Sequence, residues 1–154
     1  MNRKQKAQWP HLHFNSNDTS ALFLEDAALV CLNPLSGFEL VERFAVLPGN
    51  VFSISPSRDQ LAIAILSFEA ISLYKKTRSV TYGMFQLVVQ TEDGFALQYK
   101  KKVRNIHDGS MLWSPCGQLL LMKTEFHESN DSYYGEHKLF LFDVRLRPYL
   151  RQLS

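Results

Sequence analysis

Three groups of basic residues offer the clearest chemistry in this chain. Lys75, Lys76 and Arg78 form the first, Lys100, Lys101, Lys102 and Arg104 the second, and Arg145, Arg147 and Arg151 the third. Lysine and arginine displace counterions from a phosphate backbone, and the nearby Tyr74, Tyr82 and Tyr99 offer ring faces on which bases stack. The same pattern also suits solvated loops and sheet edges blunted with lysine. A formal net charge of +2 does not by itself mark a nucleic-acid surface.

Other residues of chemical interest read more plainly. The polar stretch from Glu125 to Glu136 holds His127, Glu128 and Asp131, with His137 beside it. These are metal-ligating types without the compact spacing of a metal site, so a polar loop is the expectation and no metal is assigned. Tyr133 and Tyr134 in that loop suit either a partner-binding aromatic knob or packing against their own sheet. His11 and His13 flank Leu12 and share one strand face, as a hydrogen-bonded or surface pair. Ser114-Pro115-Cys116-Gly117 sets a thiol on a turn with no base committed to it, so turn geometry comes before nucleophilic chemistry. No Gly-rich phosphate loop, no Gly-x-Ser-x-Gly elbow and no zinc motif occurs, so neither an enzyme nor a cofactor is expected.

The elements that must position these residues are strands. Three segments share one pattern: Phe14 to Leu22, Ile54 to Ala62 and Trp113 to Leu121. Each runs from a bulky apolar residue through Ser or Asn and a polar turn into an apolar run. Internal repeats of this size point to propellers, solenoids or arrays. Ile54 follows Phe14 by 40 residues, close to one four-stranded blade, and Trp113 follows Ile54 by 59, which implies an insertion at 67–82. Within the first repeat, strands are expected at Leu12–Phe14, Ala21–Leu24, Leu29–Leu32 and Phe38–Val46, the last with Val41 and Ala45 on the wrong face for simple alternation. In the second, Leu61–Leu66 reads as a strand buried on both faces, and Glu92-Asp93-Gly94 as a hairpin turn. The third is expected to run through Met111–Trp113, Leu119–Lys123 and Lys138–Phe142, with Pro148 holding a fourth strand to an edge.

The expected fold is therefore all-β: a WD40-like β-propeller segment of about three four-stranded antiparallel blades at 9–48, 50–104 and 110–154, forming an incomplete ring in one partial domain, 1–154. Closed propellers use about four to eight blades, so three leave sheet faces and edges open to association. The 154 residues are 45% hydrophobic and 21% charged, a globular composition. No apolar run reaches the roughly 18–20 residues of a membrane span, and no apolar stretch follows the basic Met1 to Lys6 as a signal peptide requires. Cys31 and Cys116 make neither a metal-spaced pair nor a disulfide framework, which fits a reducing, cytoplasmic compartment.

The third repeat resembles the eukaryotic translation initiation factor 2A family. Met111-Leu112-Trp113 is followed by a long loop ending in Ser132-Tyr133-Tyr134-Gly135-Glu136 and then by the strand containing Leu139, an order that is similar to the family's. Gln5 to Trp9, Asn15 to Thr19 and Ser53 to Pro56 resemble family features upstream. The resemblance implies part of a larger propeller that binds without catalysis. Its implied partners are the small ribosomal subunit, initiator tRNA or mRNA, and other initiation factors, with no membrane and no small-molecule ligand. Lys75, Lys76, Arg78, Lys100, Lys101, Lys102 and Arg104 are the expected RNA contacts and Tyr133 and Tyr134 the expected partner contacts. Two alternatives stand beside it: a generic WD40-like protein-interaction scaffold, and the propeller of the initiation factor 3 b subunit, which has similar Trp-Ser-Pro turns.

Overall fold

A computed structural model describes residues 12–25, 27–47, 51–68, 82–126, 136–144 and 150–153. Twelve strands are seen among them, in three antiparallel four-stranded sheets whose spatial order follows the chain. The first sheet holds β1 (His13–Phe14), β2 (Ala21–Glu25), β3 (Ala28–Asn33) and β4 (Glu39–Ala45). The second holds β5 (Val51–Ile54), β6 (Ala62–Ser67), β7 (Tyr82–Thr91) and β8 (Gly94–Arg104). The third holds β9 (Asp108–Trp113), β10 (Leu119–Phe126), β11 (Glu136–Asp143) and β12 (Leu150–Gln152). This is a partial propeller: meander sheets stacked face to face.

Each sheet begins with the same device. In the first, Asn15 Oδ1 accepts from the backbone N–H groups of Thr19 and Ser20 at 2.9 and 3.0 Å. In the second, Ser55 Oγ accepts from Ser57 N at 3.2 Å, and in the third Ser114 Oγ accepts from Leu119 N at 3.0 Å. A short polar side chain supplies the bonds that the backbone of a tight turn lacks, which is why Asn and Ser recur at this position. The turns also touch one another. Ser16 Oγ donates to Ser57 O across the first joint, and a Cβ on Gly117 would stand 2.3 Å from Ser55 Oγ across the second. All three repeated turns therefore lie at one end of the stack.

Two apolar clusters hold the sheets together, and the second sheet contributes to both. Paired residues on neighbouring strands share a face, so β6 sends Ile63 and Ile65 toward the first sheet and Ala62, Ala64 and Leu66 toward the third. Every residue from Leu61 to Leu66 is buried, as the unbroken apolar run predicts. Leu22, Leu29 and Cys31 meet Ile63, Ile65, Val88 and Phe95 at the first joint. Phe85, Leu87 and Val103 meet Leu120, Met122 and Phe142 at the second.

A β-bulge in β4 explains the alternation that failed in the sequence there, and a second bulge lies in β8. Cys31 pairs with Glu42 but Leu32 pairs with Leu40, so Val41 is the extra residue in β4. Leu87 pairs with Tyr99 but Val88 pairs with Leu97, so Gln98 is the extra residue in β8. A bulge exchanges the two faces of its strand beyond that point. Phe95 consequently packs on the first sheet, while Tyr99 and Val103, farther along the same strand, pack on the third.

A pair of glycine substitutions isolates the joint between the second and third sheets. Gly37 and Gly117 have φ of 68° and 75°, so alanine at either place strains the backbone by about 1–2 kcal/mol. A Cβ at Gly37 meets open space, whereas at Gly117 it meets Ser55 and Ser57. Gly117→Ala is therefore expected to lower the urea midpoint well beyond Gly37→Ala, for a total cost of about 2–4 kcal/mol. Equal losses in the two variants would show that the close turn contact adds nothing.

Candidate nucleic-acid interface

The basic run at 100–104 lies on β8 and is divided by strand alternation. Tyr99, Lys101 and Val103 point toward the third sheet; Lys100, Lys102 and Arg104 are exposed on the other side. Lys101 Nζ donates to Leu150 O at 3.4 Å, and Tyr99 Oη accepts from Leu150 N at 3.2 Å. Both residues thus join the edge strand of the second sheet to that of the third.

The two tyrosines of this region serve different ends. The Tyr99 ring lies 6.0 Å from Phe85 and 5.1 Å from Phe142, in an aromatic group that spans the second joint. Tyr82 opens β7 opposite Arg104, is 52% exposed, and has Lys102 Nζ 5.0 Å from its ring centroid. An ammonium over a ring face is a favourable contact, worth about 0.5–1 kcal/mol at an exposed site. Tyr82, Lys100, Lys102 and Arg104 form one exposed cationic strip with an aromatic end.

This strip reaches the end of the stack opposite the repeated turns. Lys138 Nζ reaches Arg104 O at 3.5 Å and pairs with Glu136 at 3.1 Å. His137 Nδ1 lies 3.7 Å from Glu125 Oε1, and the ring of His107 lies 4.5 Å from that of Phe126. Lys75, Lys76 and Arg78 lie outside the described residues, as do Tyr133 and Tyr134, His127, Glu128 and Asp131, and Arg145 and Arg147. Phe68 and Tyr82, which bound the segment carrying the first basic group, and Phe126 and Glu136, which bound the tyrosine loop, all belong to the same end as Arg104. Arg151 is exposed on β12, and His13 packs edge-on against Phe52, 4.6 Å between centroids.

Polar residues that the sequence did not single out tie the sheets at their rims. Both Glu42 carboxylate oxygens accept from Phe95 N, at 2.8 and 3.0 Å. Gln86 donates to and accepts from the Leu47 backbone at 3.4 and 3.3 Å, and Trp113 Nε1 donates to Ser53 O at 3.0 Å. Gln86 had a readable signal: a lone amide inside the apolar run Met84–Val89 must find a partner when buried. Glu42 had none, because a glutamate on an edge strand is ordinary. At the turn end, Ser55, Ser57, Asp59, Gln60, Cys116 and Gln118, with Ala62 and Val144, line a cleft of about 150 Å³ of mixed polarity. Ser114 Oγ sits 3.7 Å from Cys116 Sγ there, and the hydroxyl's chief task is closing the turn.

The fold and this strip together define a propeller-type β-sheet protein with a cationic edge. No protein-family model matches the chain, and no curated protein matches it. A crystal structure of a eukaryotic initiation factor matches it in fold, with a TM-score of 0.63 at 13% identity over 97% of this chain. The chain spans 33% of that structure's length. At this identity the likeness establishes the fold.

Two measurements follow from these positions. Tyr99→Ala removes a ring packed between two sheets and is expected to cost about 3 kcal/mol in urea unfolding, whereas Tyr82→Ala loses only the exposed contact with Lys102 and changes stability by about 1 kcal/mol or less. Comparable losses would contradict the division of labour between them. The thiols separate in the same way. Burial pushes the Cys31 thiol above its ordinary value, a nearby Glu42 carboxylate adds to the rise, and a Ser20 hydrogen bond partly opposes it. Because the thiolate is the nucleophile, Cys31 stays protonated and inert at neutral pH while the exposed Cys116 reacts. Iodoacetamide labelling followed by peptide mass analysis is expected to modify Cys116 in the folded chain and Cys31 only after denaturation.

Proposed function

We propose that this chain is an RNA-contacting segment of a translation-initiation type propeller, acting by charge and shape without catalysis. One observation carries the reading: Lys100, Lys102 and Arg104 stand at alternate positions on the exposed side of β8. Alternate residues on a strand are about 6.8 Å apart. Three cations in line at that interval suit an extended nucleic-acid strand laid along β8, one cation to a phosphate. Tyr82 at the end of the line offers an aromatic face to a base, and stacking of that kind contributes about 1–3 kcal/mol per base. The fold likeness to a eukaryotic initiation factor supports the setting. The resemblance of the third repeat to the initiation factor 2A family supports the small ribosomal subunit and initiator tRNA or mRNA as partners. Lys101 belongs to the joint between sheets in this reading and is not a phosphate contact. Lys75, Lys76 and Arg78 remain expected contacts on sequence grounds.

Co-sedimentation with purified small ribosomal subunits over a range of salt tests the proposal. Three phosphate contacts to a single strand give a slope of log K against log salt of about −2. The triple change Lys100→Glu, Lys102→Glu and Arg104→Glu is expected to abolish salt-sensitive binding in a chain whose circular dichroism is unchanged. Lys101→Gln is expected to keep the slope. Binding that ignores salt and survives the triple change would favour a protein-binding scaffold and overturn the RNA reading.

A further inference from the structure

The cationic strip lies along a groove whose two walls differ in charge. Lys100 stands opposite Gln86 on β7, and Gln86 bonds the Leu47 backbone where the chain leaves the first sheet. Paired residues share a face, so Lys100, Lys102 and Arg104 lie on the side of the second sheet that looks toward the first. The facing wall is built by β4 and the residues just after it. Phe44 and Val46 pack into the first joint there, and Leu47 is 42% exposed beside Gln86. The charged residues that β4 turns to this side are Glu39, paired with Asn33, and Glu42, paired with Cys31. Arg43 pairs with Val30 on the far side and is held by Glu25. Among the described residues, this wall presents apolar groups and carboxylates but no cation.

The strip is also bounded along its length. From Lys100 toward the repeated turns, the same side of β8 carries Leu97, 44% exposed, and then Phe95, whose N–H is held by the Glu42 carboxylate. Glu92 and Asp93, both exposed, form the hairpin beyond it. At the other end stands Tyr82, and Lys102 Nζ lies over one face of its ring, which leaves one face for a base.

A duplex carries two phosphate backbones, and its bases are stacked on one another. Laid on β8, it would bring its second backbone to the wall of Glu39 and Glu42, where like charges repel, and it would have no free base face for Tyr82. A single strand needs one row of cations and offers unstacked bases.

Resting on the RNA reading above, we propose that the strip takes an unpaired RNA segment of about four nucleotides, with phosphates on Lys100, Lys102 and Arg104 and one base on Tyr82. The carboxylates of Glu92 and Asp93 turn the strand off the sheet beyond Lys100.

Fluorescence anisotropy of the full chain tests this with labelled oligouridylates of about three to ten nucleotides and RNA duplexes of matching length. At low salt the single strands are expected to bind about tenfold or more tighter than the duplexes. Their affinity is expected to level off at about four nucleotides, once the number of registers is allowed for. Tyr82→Ala weakens single-strand binding by about tenfold and duplex binding less, while Tyr82→Phe restores it. Glu92→Lys combined with Asp93→Lys, in a chain whose circular dichroism is unchanged, moves the plateau to longer strands. Duplexes that bind as tightly as single strands, or a wild-type affinity that keeps climbing with length, overturn this inference. If Lys100→Glu, Lys102→Glu and Arg104→Glu together still abolish that binding, the RNA reading stands without it. Failure of every RNA to bind, or binding indifferent to the triple change, overturns both.

Discussion

A strand buried on both sides sets the terms for the whole molecule. β6 lies between two sheets, so its residues Ala62–Leu66 have no solvent face, and together with Leu61 just before the strand they form an unbroken buried apolar run. Its two sides are filled differently. Isoleucines face the first sheet, and two alanines with one leucine face the third, where the large rings of Phe85, Phe142 and Tyr99 occupy the space. Small residues opposite large ones let the layers interdigitate at interior density. The outer sheets are organised by what the middle one presents to them.

An apolar stack of this kind fixes contact but not alignment, and alignment comes from a few polar groups at the rims. Trp113 reaches the Ser53 carbonyl, Gln86 brackets the Leu47 backbone, and Glu42 holds the first amide after Gly94. Gly94 matters here because a Cβ would stand 2.7 Å from the Glu42 carboxylate. Each bond joins a side chain of one sheet to the main chain of the next, so sliding the sheets by one residue would leave it unmade. Breaking such a bond exposes a buried donor or acceptor, at a cost of about 1–3 kcal/mol each. The cationic strip depends on this alignment, since the tie between Lys101 and Leu150 leaves its neighbours on the free side.

Much of the architecture was legible in the residues. The turn pattern at Asn15, Ser55 and Ser114 located the three sheets, and the unbroken run at Leu61–Leu66 located the doubly buried strand. The hairpin at Glu92-Asp93-Gly94 fell where expected, with β7 ending at Thr91 and β8 beginning at Gly94. The site was less legible, for two physical reasons. Five consecutive residues ending in Arg104 read as one basic cluster in a list, yet a strand sends neighbours to opposite sides, and Lys101 therefore leaves the group. Tyr99 and Tyr82 are equally plausible ring faces until packing is known, and only one is free of the core. The misfit at Val41 was visible as broken alternation, but its cause required the pairing of β3 with β4. Nothing in the local pattern announces Gln98, because a bulge is a property of two strands and the sequence near it describes one.

The bulge at Gln98 also bears on how this chain can vary over generations. Upstream of it, β8 belongs to one joint; downstream, to the other. Loss of the Gln98 codon would remove the bulge and leave Leu97 opposite Val88 and Tyr99 opposite Leu87, so both joints would keep their side chains. Loss of a codon beyond the bulge acts differently: without Lys100, Lys102 would come opposite Phe85 and Val103 would turn to the exposed side. Exchanges of one side chain for another are absorbed locally, whereas a change of length beyond the bulge inverts the rest of the strand. The stretch from Tyr99 to Val103 is thus free to drift in composition on its exposed side but held to one length, while the bulge itself is the place where a residue can be lost.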